Sequence, residues 1–257
     1  MIDLKTIKKI EDQFQKNLPW VAYCLPDSST LTVLLQKNSS DYYPAEFLEN
    51  AFHFYPFDDQ NRGFCIPNQK ATIIQQKYNP EELPSEKSII SIDSEAKIRY
   101  QQLFAKTHAF LTNRKAEKIV ISRKVSFNIK ELSFSTLLER LCFLYPQAFR
   151  YVWYHPETGL WCGATPELLM ESNAGYFKTM ALAGTKEAST NNKVPWTEKE
   201  RNEHQIVVDE IIDKLQAILS VIKVSKTYTA TAGSLLHLRT DISGQLKKGK
   251  SSITLLA

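Results

Sequence analysis

One helix start constrains this chain more than any other feature. In Pro195-Trp196-Thr197-Glu198-Lys199-Glu200 a threonine stands three residues ahead of a glutamate, directly after a proline. This is a capping box, in which the Thr197 hydroxyl and the Glu200 carboxylate each satisfy a backbone N–H that the first helical turn leaves without a partner. A helix therefore begins at Thr197. Val208, Ile211, Ile212, Leu215, Ile218, Leu219 and Ile222 recur along it at three- and four-residue spacing, predicting one buried stripe with Asp209, Lys214 and Gln216 off it. Upstream, the runs carrying Gly163-Ala164-Thr165-Pro166-Glu167 and Leu182-Ala183-Gly184-Thr185-Lys186 read as strands. The fold must pack a long helix on strands, with carboxylates and a glycine-hinged turn at the junctions.

Those junctions read as a site. Glu200 and Glu203 share a helix face, and two carboxylates suit a hard divalent cation such as Mg2+, which completes its shell with water and substrate oxygens. Capping alone also accounts for Glu200, because a carboxylate at the positive end of a helix is favourable without a metal. Glu167 lies between the apolar runs Leu160-Trp161-Cys162 and Leu168-Leu169-Met170. An apolar setting would raise its pKa and suit it to proton donation; a Pro-Glu pair is equally ordinary in a surface turn. Gly184 would let the backbone approach a ligand, presenting an amide and the Thr185 hydroxyl to a carboxylate.

The rest of the chain alternates in character. Residues 3–16 read as an amphipathic helix. Four β-rich runs follow, Trp20–Cys24, Thr30–Leu35, Phe52–Tyr55 and Ala71–Ile74, separated by Pro, Asp, Asn and Gly as in antiparallel sheet. Tyr78–Lys87 reads as a linker or mobile loop, and 98–111 has helical spacing. Lys118–Arg123 reads as a strand with Lys118, Val120 and Ser122 on one side. Next come a helix over Phe134–Leu144 and a hairpin of 149–154 and 160–162 turned by His155–Gly159. A strand over 176–182 and strand-like residues 235–246 complete the pattern.

A net charge of +4 over 257 residues, without a basic block, disfavours nucleic acid, although a mildly positive cleft suits a dianionic substrate. Cys24, Cys65, Cys142 and Cys162 form no CxxC pair, which fits a reducing cytoplasm. The N-terminus has no signal-peptide core, and no apolar run approaches the roughly 18 residues of a membrane span.

Taken together, Gly163–Leu169, Ala181–Lys186, Lys199–Val208, Lys118–Arg123 and Leu235-Leu236-His237-Leu238 resemble, in order and spacing, blocks of the chorismate-utilising enzymes: isochorismate, salicylate, anthranilate and aminodeoxychorismate synthases. The resemblance covers about residues 97–257. It implies an α+β fold of large antiparallel sheets with flanking helices, divided as 1–95, an N-terminal β-rich part, and 96–257, the chorismate-binding catalytic part. It also implies roles for single residues. Lys118 stands where the water-adding members carry their general base, and ammonia-using members typically lack this lysine, so the resemblance is to isochorismate synthase. Glu167 would be the general acid, Glu200 and Glu203 would hold Mg2+, and Gly184, Thr185 and His237 would position the substrate. Without the resemblance, His237 would be an ordinary core histidine.

The expected reaction is attack of water at C2 of chorismate with loss of the C4 hydroxyl, serving menaquinone or siderophore synthesis. Salicylate synthase, which also eliminates pyruvate, and a non-catalytic module binding chorismate or a partner are the alternatives. Family members continue past this length, and Ser251–Ala257 reads as a capped helix cut after its first turn. The expectation is a C-terminally truncated chain with little activity alone, whose open sheet edges could drive self-association.

Overall fold

A computed structural model describes residues 1–46, 50–57, 62–82, 94–126, 128, 129, 131–188 and 195–250. The chain forms two compact units, one built from Met1–Leu83 and Ser133–Ala257, the other from Pro84–Leu132.

The larger unit contains two five-stranded antiparallel sheets. The first has the order β5-β2-β1-β6-β7, from β1 (Trp20–Cys24), β2 (Thr30–Gln36), β5 (Ala71–Lys77), β6 (Phe149–His155) and β7 (Gly159–Thr165). Its central strands are apolar on both sides because both faces are covered. Trp20, Ala22, Leu31, Val33 and Val152 pack with Ile7 and Ile10 of α1 (Leu4–Gln15) and with Phe134 and Leu138 of α3 (Phe134–Leu144). On the other face Val21, Leu34 and Trp153 pack with Ile66 of β4 (Phe64–Pro67), flanked by Phe52 and Phe54 of β3 (Ala51–Phe54). β1 and β2 lie before residue 95 and β6 and β7 after it, and the sheet joins them through the β1–β6 pairing.

The second sheet has the order β10-β12-β9-β8, with β11 also paired to β12. It is built from β8 (Glu171–Asn173), β9 (Tyr176–Glu187), β10 (Leu219–Val224), β11 (Tyr228–Ala232) and β12 (Leu235–Leu246). One face is covered by α4 (Glu198–Gln216), through Phe177, Ile242, Leu215, Ile211 and Ile212. The capping box is present, with Thr197 as N-cap, and is worth about 1 kcal/mol. The helix is shorter than its apolar stripe. Ile218 lies beyond the helix, and Leu219 and Ile222 belong to β10, where the backbone pairs with β12 from Leu219↔Leu246 to Val224↔Ile242. An apolar spacing of three and four is compatible with either form, and the available ladder partner decides it.

In the smaller unit α2 (Ser94–Thr112) matches the expected helix. The expected strand at Lys118–Arg123 is not formed; these residues carry no regular structure. An isolated extended segment leaves its N–H and C=O groups unpaired, and the described residues of this unit contain no second strand to complete a ladder. Of the expected linker, Tyr78 is buried and donates its backbone N–H to Ser29, while 83–87 lie outside the described residues, as does the expected helix at 251–257.

Cys24 and Cys142, distant in sequence, meet in the core with their Sγ atoms 3.6 Å apart, and all four cysteines are free thiols. Among the described residues no helix is long and apolar enough to cross a membrane.

Candidate active site

Of the expected site residues of the larger unit, Gly184, Thr185, His237 and Glu200 gather where β9 and β12 meet the first turn of α4. The ladder runs in register up to Leu238↔Ala183 and resumes at His237↔Thr185, so Gly184 is an extra residue on β9. This is a β-bulge, and Gly184 has φ +73°, a conformation costly for any residue with a Cβ. The bulge turns the Gly184 carbonyl out of the ladder and toward His237, whose Nδ1 lies 3.1 Å from it and 3.2 Å from Thr185 Oγ1. A carbonyl can only accept, so Nδ1 carries the proton. His237 then offers the Nε2 lone pair, and Thr185, accepting from the same N–H, keeps its own O–H for a ligand.

The next layer is electrostatic. Lys186 Nζ lies 2.8 Å from Glu200 Oε2, which also accepts from the Thr197 backbone N–H at 2.8 Å. These contacts, the lysine first, hold the Glu200 carboxyl below the usual carboxylate range. Trp196 lies under the Lys186 ammonium, 5.1 Å from Nζ to the ring centroid, bonds Thr229 Oγ1 through its indole N–H, and packs against Gly184. Glu203, half-buried, follows on the same helix. His204 points into the sheet instead, where Nε2 and Thr240 Oγ1 lie 2.8 Å apart and tie α4 to β12.

His237 opens into a cleft of about 830 Å³ lined also by Leu182, Ala164, Pro166, Arg239 and residues 143–148 at the end of α3. Glu167 lies one residue past Pro166 and is exposed, so the apolar surroundings expected for it are not found. In the turn after β7 the Glu167 N–H donates to Thr165 Oγ1. Lys118, half-buried, lies in the smaller unit. Sequence reasoning missed Arg239, Lys186 and Trp196. The strand alternation of β12, which puts residues 237 and 239 on one face, was a signal for the first.

For a divalent cation the donors present are hard carboxylate oxygens, and two of them suffice for Mg2+. Glu200 reaches its capping and lysine partners through Oε2, leaving Oε1 outside those contacts, and Glu203 is adjacent on the helix face. Among the described residues no group of three or more His, Cys, Asp or Glu side chains converges.

The sequence model of a family described as chorismate binding enzyme matches residues 52–257. The chain belongs to this family. The match begins well before residue 97, where the resemblance by motif begins, and takes in β3 onward. Among curated relatives, isochorismate synthase EntC of Escherichia coli K12 is 26% identical over 166 residues, 61% of this chain and 42% of EntC. Isochorismate synthase MenF of Pasteurella multocida is 32% identical over 109 residues, 39% of this chain and 25% of MenF. The aligned region thus spans less than half the length of these relatives. Among solved structures, DhbC of Bacillus anthracis, described as a 2,3-dihydroxybenzoate-specific isochorismate synthase, superposes with a TM-score of 0.69 at 17% identity, over 95% of this chain and 73% of DhbC. MenF of Escherichia coli, the menaquinone-specific isochorismate synthase, gives 0.66 at 15% identity over 95% and 68%. The α+β architecture of antiparallel sheets with flanking helices is shared with both.

Proposed function

We propose that this chain is the chorismate-binding part of an isochorismate synthase, a cytoplasmic enzyme converting chorismate to isochorismate. The observation that carries the reading is the His237–Thr185–Gly184 cluster, whose histidine lines the cleft, in a chain of the chorismate-binding family. His237 Nε2 accepts from a substrate hydroxyl, and Thr185 Oγ1 donates to a substrate carboxylate, fixing the ring. Lys118 Nζ takes a proton from the water that attacks C2, and the Glu167 carboxyl gives one to the C4 oxygen as it departs. Glu203 and Glu200 would hold Mg2+, which supplies Lewis-acid charge neutralisation beside the substrate.

Incubation of the chain with chorismate and Mg2+, with products separated by liquid chromatography, tests this reading. Isochorismate supports it, whereas salicylate with pyruvate assigns the chain to salicylate synthesis. Lys118→Ala abolishes turnover while chorismate binding persists; turnover retained by that variant removes Lys118 as the base. The solved relatives include a menaquinone-specific and a 2,3-dihydroxybenzoate-specific isochorismate synthase, and we propose that the chain serves menaquinone or siderophore synthesis.

A further inference from the structure

We propose that Arg239 is a substrate-positioning residue that binds a carboxylate of chorismate inside the cleft, an assignment that rests on the functional reading above. β12 alternates strictly. Leu236, Leu238, Thr240 and Ile242 are buried against the α4 side, so His237, Arg239 and Asp241 share the opposite face. His237 and Arg239 both line the cleft, and among its described lining residues, which also include Asp27, Arg239 is the one permanently cationic side chain. A dianionic substrate entering an otherwise largely apolar cleft needs such a charge, since an unmatched carboxylate taken out of water is strongly penalised.

The guanidinium is held ready for this. Its Nε and Nη2 donate to Asp241 Oδ1 at 2.9 and 2.7 Å. Asp241 is itself fixed, its Oδ2 accepting from the Tyr228 hydroxyl at 2.9 Å and its backbone N–H donating to Ser225 Oγ. The Tyr228 ring lies 5.9 Å from the guanidinium carbon. Support from Asp241 on one edge and from the Tyr228 ring fixes the planar fork before any ligand arrives, so little side-chain entropy remains to be lost on binding. Among the described residues Nη1 has no acceptor, so the Nη1–Nη2 end of the guanidinium, opposite the edge that Asp241 holds, stays available to a carboxylate. A surface ion pair would account for the Asp241 contact alone. It would not account for the placement of Arg239 beside His237 in the cleft lining.

Calorimetric titration of the folded chain with chorismate tests the assignment, with wild type, Arg239→Met and Arg239→Lys compared. Loss of a charge-assisted, two-point contact weakens binding by about ten- to a hundredfold. Arg239→Met shows that loss; Arg239→Lys, which keeps the charge without the fork, falls between. In a variant that turns over, the defect appears in KM with kcat within about threefold, as expected for uniform binding. A purely structural role would lower Tm and leave the dissociation constant of the folded variant unchanged. Equal affinity of all three proteins overturns the assignment and leaves the functional reading standing. No chorismate binding by wild type overturns both.

Discussion

Replacing Gly184 with alanine tests the bulge that organises the candidate site. Gly184 has φ +73°, and a Cβ built there would lie 3.3 Å from Trp196 Cζ3. The backbone conformation alone costs an L-residue about 1–2 kcal/mol. Gly159, at φ +77° in the β6–β7 turn, provides the internal control, because a Cβ there meets nothing within 4 Å. Gly159→Ala therefore reports the backbone cost alone, and Gly184→Ala the same cost plus displacement of Trp196. For a domain of this size about 1 kcal/mol corresponds to roughly 2–4 °C in Tm, so Gly159→Ala lowers Tm by about 2–8 °C and Gly184→Ala by more. Urea and thermal unfolding of both variants would measure it, with indole fluorescence as the probe of Trp196. The second consequence concerns function: straightening the bulge returns the Gly184 carbonyl to the ladder and releases His237 Nδ1, so chorismate affinity falls in Gly184→Ala and not in Gly159→Ala. A Gly184→Ala protein as stable as wild type, with unchanged affinity, would refute the argument that the bulge needs a left-handed residue and orients His237.

Three further outcomes follow from the same structure. Thr197→Ala removes the N-cap hydroxyl and costs about 1 kcal/mol in urea unfolding; no change would mean that the Lys186–Glu200 pair holds the helix start unaided. Burial holds His155 and His53 below the usual histidine pKa, Asp41 and Glu157 opposing this at His155. A depressed folded pKa gives stability that is present above the unfolded value, about 6.5, and lost as pH falls through the folded value. Midpoints in urea thus fall on acidification below about pH 6.5, and His155→Gln flattens part of that dependence; an unchanged profile would refute the role of burial. Native thiol labelling modifies Cys162 quickly and Cys24, Cys65 and Cys142 only on unfolding, since those three are buried; several fast thiols would contradict the packing.

Much of this organisation was legible in the chain because it is local. The capping box at Thr197 specifies its own hydrogen bonds, α3 and β12 have boundaries written in their apolar spacing, and the motif blocks pointed to the chorismate family. The aromatic and β-branched runs at Trp20–Cys24 and Thr30–Leu35 declare themselves as strands wherever they end up in a sheet. The positions of Gly184, Thr185 and His237 were likewise named from motifs, and the structure brings these three into contact.

Whatever needed a distant partner was decided by the tertiary structure. Leu219 and Ile222 fit a helical stripe and a strand equally well, and pairing with β12 made them β10. Lys118–Arg123 has strand-forming residues but no second strand among the described residues of its unit to pair with, and it forms no strand. Cys24 and Cys142 come within 3.6 Å only because α3 packs on β1. Glu167 is exposed in the turn after β7, which flanking apolar residues could not reveal. Arg239 became visible only once β12 was placed at a cleft: a side chain's charge is a property of the sequence, but what that charge faces is a property of the fold.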